Sequence, residues 1–157
     1  MTKINWTTLM LCFVIIFIVA FLGNIFTSKN TGTTWYQSIR PSITPPNFVF
    51  PIAWTILFIL IVISLYFVWT NSKNKKEKKQ VAWVFAINLI LNILWSFLFF
   101  DQKLLSLAFT EIIIMWISIL AMIIISRKIN KTAAWLLVPY LLWVAFASIL
   151  NFIAAFA

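Results

Sequence analysis

Four polar interruptions divide this chain into five apolar runs, each close to the length of about twenty residues that a helix needs to cross the hydrocarbon of a bilayer. A helix bonds its own backbone N–H and C=O groups, which lipid cannot do. The runs therefore predict helices over about 6–26, 48–70, 81–100, 104–126 and 133–157. Only 10% of the side chains are charged and 64% are hydrophobic, too few charges to give a soluble domain of 157 residues a polar skin. The expectation is an all-α integral membrane protein, a single domain over 1–157 built as a five-transmembrane-helix bundle.

The formal charge of +9 would suggest nucleic acid in a soluble protein, but here the cations sit between apolar runs, where topology demands them, so no nucleic-acid partner is expected. Histidine is absent, and Glu77, Asp101 and Glu111 are the only acids. That excludes an imidazole-based triad, a histidine-rich zinc or non-haem iron site, and haem held through imidazole. Cys12 is the single cysteine and lies inside an apolar run, so it makes neither an internal disulfide nor a thiolate cluster. Gly23 and Gly32 are the only glycines, too few for a phosphate loop. No metal site and no cofactor is expected.

The passage from Trp35 to Trp54, WYQSIRPSITPPNFVFPIAW, separates the first two runs and holds prolines at 41, 45, 46 and 51. Proline fixes φ and lacks an amide donor, so the segment is expected to resist an ordinary helix and to form a semi-rigid flap. Trp35, Tyr36, Arg40, Pro41, Pro45 and Pro46 combine rings, a guanidinium and a stiff backbone, which suits the mouth of a pocket for a flat, partly anionic ligand. They also suit interfacial anchoring and helix termination. Residue types alone leave both readings open.

Within the runs, spacings of three and four align side chains on single faces. Trp54, Phe58, Ile61, Leu65 and Trp69 form one such stripe in the second helix. Asn88, Asn92, Trp95 and Phe99 form another in the third, and amides at membrane depth must look inward, either to bond neighbouring helices or to meet a ligand in a cavity. The fourth contains Glu111, a functional candidate by its depth and otherwise a bonding group for a neighbouring helix. The fifth carries Pro139 near its start and aligns Tyr140, Trp143, Ala147 and Asn151, a stripe that makes room for a flat ligand or for another helix. The charged stretch 71–80, NSKNKKEKKQ, is expected as an ordinary cytoplasmic loop, with attraction of anionic lipid headgroups as the other reading.

Lys3 before an apolar run resembles a signal peptide, but the run is long for one and lacks a convincing cleavage site, so a retained helix is expected. With five spans, Lys3, the five lysines of 71–80, Arg127, Lys128 and Lys131 share one side, against Lys29, Arg40 and Lys103 on the other. That asymmetry places the N-terminus in the cytoplasm and the flap and C-terminus outside the cell membrane.

WYQSIRPSITPP, then Trp54, Asn88 and Asn92 with Trp95, the FFDQK turn, a carboxylate in helix four and PYLLWVAFASILN resemble, over essentially the whole chain, the TspO/MBR family of translocator or tryptophan-rich sensory proteins, also known as peripheral-type benzodiazepine receptors. Nine tryptophans in so short a chain fit that pattern. The resemblance implies a bundle whose first long loop closes a pocket for protoporphyrin and related tetrapyrroles, and for isoquinoline carboxamide or benzodiazepine-like drugs. It implies Trp54 and Trp143 flanking the pocket, with Tyr36, Phe58, Asn88, Asn92, Trp95, Tyr140 and Ala147 as ligand-binding positions. As in some bacterial members, Trp54 and Trp143 would be the catalytic pair if the chain degraded protoporphyrin with light and oxygen. Three functions follow: a tetrapyrrole-binding sensor, that photo-oxidative enzyme, or a porphyrin transporter. Transport is the least supported, because Glu111 is the lone intramembrane acid and no inverted repeat is visible.

The sequence also departs from the family. ILNFIAAFA has Phe152 where tyrosine is usual and no later cation, so cholesterol recognition is not expected. Glu111 stands where the family generally has aspartate. Family dimers use small residues on helix three, where this chain has Ala82 and Ala86 as a small-xxx-small pair for a homodimer.

Overall fold

The computed structural model describes residues 4–157, so Lys3, counted above in the charge asymmetry, lies outside the described residues. Four helices begin at a side-chain cap. Asn5 accepts the Thr8 amide at 3.1 Å ahead of α1 (Trp6–Ser28), and Thr33 accepts the Tyr36 amide at 3.3 Å ahead of α2 (Thr34–Ile39). After α3 (Val49–Asn71), Asn74 accepts the Glu77 amide at 2.9 Å ahead of α4 (Lys75–Ser96). α5 (Leu105–Ile129) is followed by Asn130, which accepts the Ala133 amide at 2.9 Å and starts α6 (Lys131–Leu136); α7 (Val138–Phe156) completes the chain. Each cap of this kind contributes about 1 kcal/mol.

Among the described residues there is no strand, and five helical stretches are long and apolar enough to cross a membrane: α1, α3, α4 with the turn that extends it, α5, and α6 with α7. α5 packs along α4 and α7, α1 along α3 and α4, and α6 against α3. The core between them is aliphatic, with Ile16, Ile61, Val81, Ile112 and Ile119 buried, while Phe21, Ile90, Ile114 and Leu142 stand exposed on the outside. A helix apolar all round belongs in a solvent that is itself apolar.

The structure corrects three expectations. First, the flap is not free of helix: Thr34–Ile39 forms α2, because Thr33 caps it and the prolines begin only at Pro41. Second, the third helix starts at Lys75 rather than about 81, so of the stretch 71–80 only residues 72–74 are loop. Lysine, glutamate and glutamine are good helix formers, and Glu77 reaches back to the Lys73 amide at 2.7 Å while Asn74 caps Glu77. Hydropathy marks the hydrocarbon boundary, which is not the helix boundary. Third, the last span is broken at Leu137. Pro139 has no N–H to offer the Trp135 carbonyl, and the Leu137 amide turns to the carbonyls of Ala134 and Trp135 instead.

The far end of α4 widens into a π-helical turn, Phe97–Asp101, closed by Gln102 N–H to Phe97 O at 2.9 Å. Lys103 then takes φ 57, the left-handed conformation that ends the turn. Successive residues of an α-helix point 100° apart, so three in a row seldom bury together; here Leu98, Phe99 and Phe100 all do.

Candidate functional site

The buried rings of the π-turn hold the flap. Trp35 packs edge-on to Phe99 at 6.3 Å with the Lys103 ammonium 5.0 Å from its ring centre, and Tyr36 lies 5.8 Å from Phe100. Arg40 then folds back on its own loop, donating through Nη2 to Pro45 O and, at 3.4 Å, to Thr44 O. The proline segment is thus clipped into a closed turn by a guanidinium and pinned to the bundle by an aromatic cluster.

Beneath this cap lies a partly open cavity of about 380 Å³, in the usual range for small-molecule sites. α3 contributes Trp54 and Phe58, which stack at 5.5 Å, and α7 contributes Trp143 and Ala147. Phe50 closes on Trp143 edge-on at 5.9 Å. Asn92 and Trp95 enter from α4, Tyr36, Arg40 and Pro41 from the cap. Of the expected ligand-binding positions, Tyr36, Trp54, Phe58, Asn92, Trp95, Trp143 and Ala147 are therefore brought together in one lining. Asn88 and Tyr140 are not in it: both are completely buried a layer below. Trp35, Pro45 and Pro46 also stand outside the lining and act on the cap itself.

That lower layer is a hydrogen-bond chain. Asn92 Nδ2 donates to the Tyr140 hydroxyl at 3.2 Å, the hydroxyl donates to Asn88 Oδ1 at 3.2 Å, and Asn88 Nδ2 donates to Ser118 Oγ at 2.8 Å. It runs from the cavity wall to α5 and leaves Asn92 anchored by its amide nitrogen. Trp95 is fixed similarly, its indole N–H donating to Asn151 Oδ1 at 3.0 Å while Asn151 Nδ2 donates to Leu105 O at 3.0 Å. The two expected uses of the amides are thus combined, since Asn92 both bonds a neighbouring helix and faces the cavity.

Electrostatically the lining is simple. Among the described residues Arg40 is its one charged side chain. Burial pushes the Tyr36 phenol above its ordinary pKa, with the Arg40 charge opposing the shift. The indole N–H of Trp143 and the hydroxyl of Thr44, both on lining residues, have no hydrogen-bond partner among the described residues. No group of three or more His, Cys, Asp or Glu comes together among them.

Glu111 departs from its expected role. It is 4% exposed on α5 and outside the lining, and neither carboxylate oxygen is hydrogen-bonded, so the bond to a neighbouring helix is not made. Other residues line the cavity without having been expected as ligand-binding positions. Gly23 lines the cavity where α1 packs on α4, and a Cβ there would meet Ser96 Oγ at 3.4 Å and Asn92 Oδ1 at 4.0 Å, ordinary contact distances. Its signal was its rarity in a chain with two glycines. Asn151 carried the right spacing from Trp143 and Ala147, but spacing could not say that it braces Trp95.

The sequence profile of the TspO/MBR family matches residues 9–156. A tryptophan-rich protein TspO from Chlorobaculum tepidum is 40% identical, covering 92% of each chain. The tryptophan-rich sensory protein of Cereibacter sphaeroides is 32% identical over 75% of this chain and 73% of its own. The translocator protein of sheep, Ovis aries, is 31% identical over 84% and 79%.

Proposed function

This chain belongs to the TspO/MBR family and is a multi-pass membrane protein, and on that premise we propose that its capped cavity binds a flat, partly anionic tetrapyrrole, with protoporphyrin as the leading ligand. One observation carries the reading: indoles from three helices, Trp54, Trp95 and Trp143, line a single cavity in which Arg40 is the one charged side chain among the described residues. Indole faces favour a planar conjugated ring, and a guanidinium favours a carboxylate. The absence of histidine suits a metal-free ring better than haem. The same apolar slot accepts uncharged aromatic amides, so isoquinoline carboxamide and benzodiazepine-like compounds compete for it. Cholesterol is not among the ligands proposed.

A second reading is favoured by the presence of Trp54 and Trp143 in one lining: indoles beside a light-excited porphyrin are oxidisable neighbours, and the bound ring is then degraded in light and oxygen. The cationic end, with Lys73, Lys75, Lys76, Lys78, Lys79, Arg127, Lys128 and Lys131, lies in the cytoplasm by the positive-inside rule, and the cap and cavity lie outside it. Ala82 and Ala86 are both exposed on α4 and support a homodimer contact.

One titration tests the function. Protoporphyrin is added to purified protein in darkness and in light while tryptophan fluorescence and porphyrin absorption are followed, for the wild type and for Trp54→Phe with Trp143→Phe. Binding is expected to quench fluorescence, to weaken in the double variant, and to be weaker for the dimethyl ester, which lacks the carboxylates. Unchanged affinity in the double variant rules out the cavity as the site. Equal photolysis in both proteins assigns the loss to free photochemistry.

A further inference from the structure

At the end of the bundle opposite the cap, the first four turns of α4 and the last turns of α5 line a shallow groove of about 390 Å³. Its lining includes Lys76, Lys79, Trp83, Val84 and Ile87 from α4 and Ile125 from α5. The α4 residues follow helical spacing and form one stripe, which descends about 16 Å along the axis from Lys76 to Ile87 at 1.5 Å per residue. Along that descent the chemistry changes in order, from two ammonium groups to an indole to aliphatic side chains. Trp83 is 61% exposed and Ile87 48%, so nothing in the bundle covers them.

This ordering matches one kind of occupant. We infer that the groove is a binding site for an anionic phospholipid, its phosphate held between Lys76 and Lys79, its glycerol region against Trp83, and an acyl chain along Val84, Ile87 and Ile125. The capping of α4 is what makes it a site rather than a charged loop. Asn74 and Glu77 fix the first turn, and the Glu77 carboxylate is occupied by the Lys73 amide at 2.7 Å, so Lys76 and Lys79 leave a formed helix on the face that carries Trp83. Lys78, by contrast, is drawn to the other side, 5.6 Å from the centre of the Trp69 ring. Arg127 and Lys128 in the last turn of α5 add positive charge at the same end. Indoles settle at the headgroup level, long cationic side chains reach past apolar surface to phosphate, and each cation near an anionic headgroup strengthens binding severalfold. A soluble phosphate or acidic peptide would use the cations but leave the apolar half of the groove empty.

Native mass spectrometry of the purified full chain tests this with phosphatidylglycerol and phosphatidylcholine of identical acyl chains. The wild type is expected to retain one phosphatidylglycerol and to release phosphatidylcholine. Lys76→Gln with Lys79→Gln should weaken retention about twentyfold or more. The charge-matched pair Lys75→Gln with Lys78→Gln should retain it, and Trp83→Ala, which alters no charge, should lose it. Far-UV circular dichroism confirms that each variant is folded. Equal loss in the two lysine pairs would mean a diffuse field and overturn the site. So would equal retention of the two lipids, or displacement of phosphatidylglycerol by excess inorganic phosphate. If the variants instead convert a dimer to a monomer with lipid retention unchanged, the face joins two copies of the chain and the lipid assignment fails.

Discussion

Removing the Tyr140 hydroxyl isolates the hydrogen-bond chain beneath the cavity from the cavity itself. Tyr140→Phe changes no apolar surface and deletes the group that accepts from Asn92 at 3.2 Å and donates to Asn88 at 3.2 Å, stranding an amide N–H and an amide oxygen at sites 6% and 0% exposed. In soluble proteins a stranded buried group costs about 1–3 kcal/mol, but within membrane bundles single side-chain bonds average about 0.6 and reach about 1.7 kcal/mol, because the unfolded helices also find partners in lipid. Two bonds at the membrane scale give an expected loss of about 1–3 kcal/mol. Unfolding by added dodecyl sulfate in mixed micelles, followed by circular dichroism, measures it. Pairing Tyr140→Phe with Asn88→Leu in a double-mutant cycle separates their mutual bond from the Asn88 bond to Ser118, and coupling of about 0.5–1.5 kcal/mol is expected. Because Tyr140 stands below the lining, protoporphyrin affinity should change little. A Tyr140→Phe protein as stable as the wild type, with additive single effects, would show that the three side chains are not bonded and that the amides face inward for another reason.

Two further outcomes follow from the cap and its floor. Gly23→Ala should bind protoporphyrin as the wild type does, since the added Cβ meets Ser96 and Asn92 at ordinary contact distances of 3.4 and 4.0 Å, whereas Gly23→Leu must project into the cavity and should weaken binding about tenfold or more, the equivalent of modest overpacking; titration of the two side by side decides. The buried Tyr36 phenol has its pKa raised above the ordinary 10.0, so the folded cap favours the protonated form. Its contribution is complete below that ordinary value and is lost as pH rises through the higher folded one. Limited proteolysis of the 35–48 segment should therefore accelerate at strongly alkaline pH in the wild type and lose that dependence in Tyr36→Phe.

The spans were legible because lipid is an unforgiving solvent: a run of about twenty apolar residues in it has to be a helix, and the polar interruptions have to be its ends. The stripes Trp54/Phe58 and Trp143/Ala147 were legible because helical period places residues three or four apart on one face. Family likeness in the sequence then joined those stripes across helices. The 71–80 stretch was misread at its inner end, since hydropathy registers where lipid stops and says nothing of how far a capped, lysine-rich helix continues beyond it.

Helical period fixes angles only within one helix, and the rotation of each helix against its neighbours is set by packing. Asn88 and Asn92 share a face, as do Tyr140 and Trp143, yet only the second member of each pair reaches the cavity. The depth and rotation of α4 and α7 against the helices they pack on decide that, and neither is a property of one segment. The π-turn at Phe97–Asp101 belongs to the same class, because its three buried residues gain most from meeting Trp35 and Tyr36, partners some sixty residues away in the chain. Helix identity and helix ends thus came from local chemistry and the bilayer. The cavity, its floor and its clasp came from how five apolar helices settled their mutual rotations around a few polar bonds.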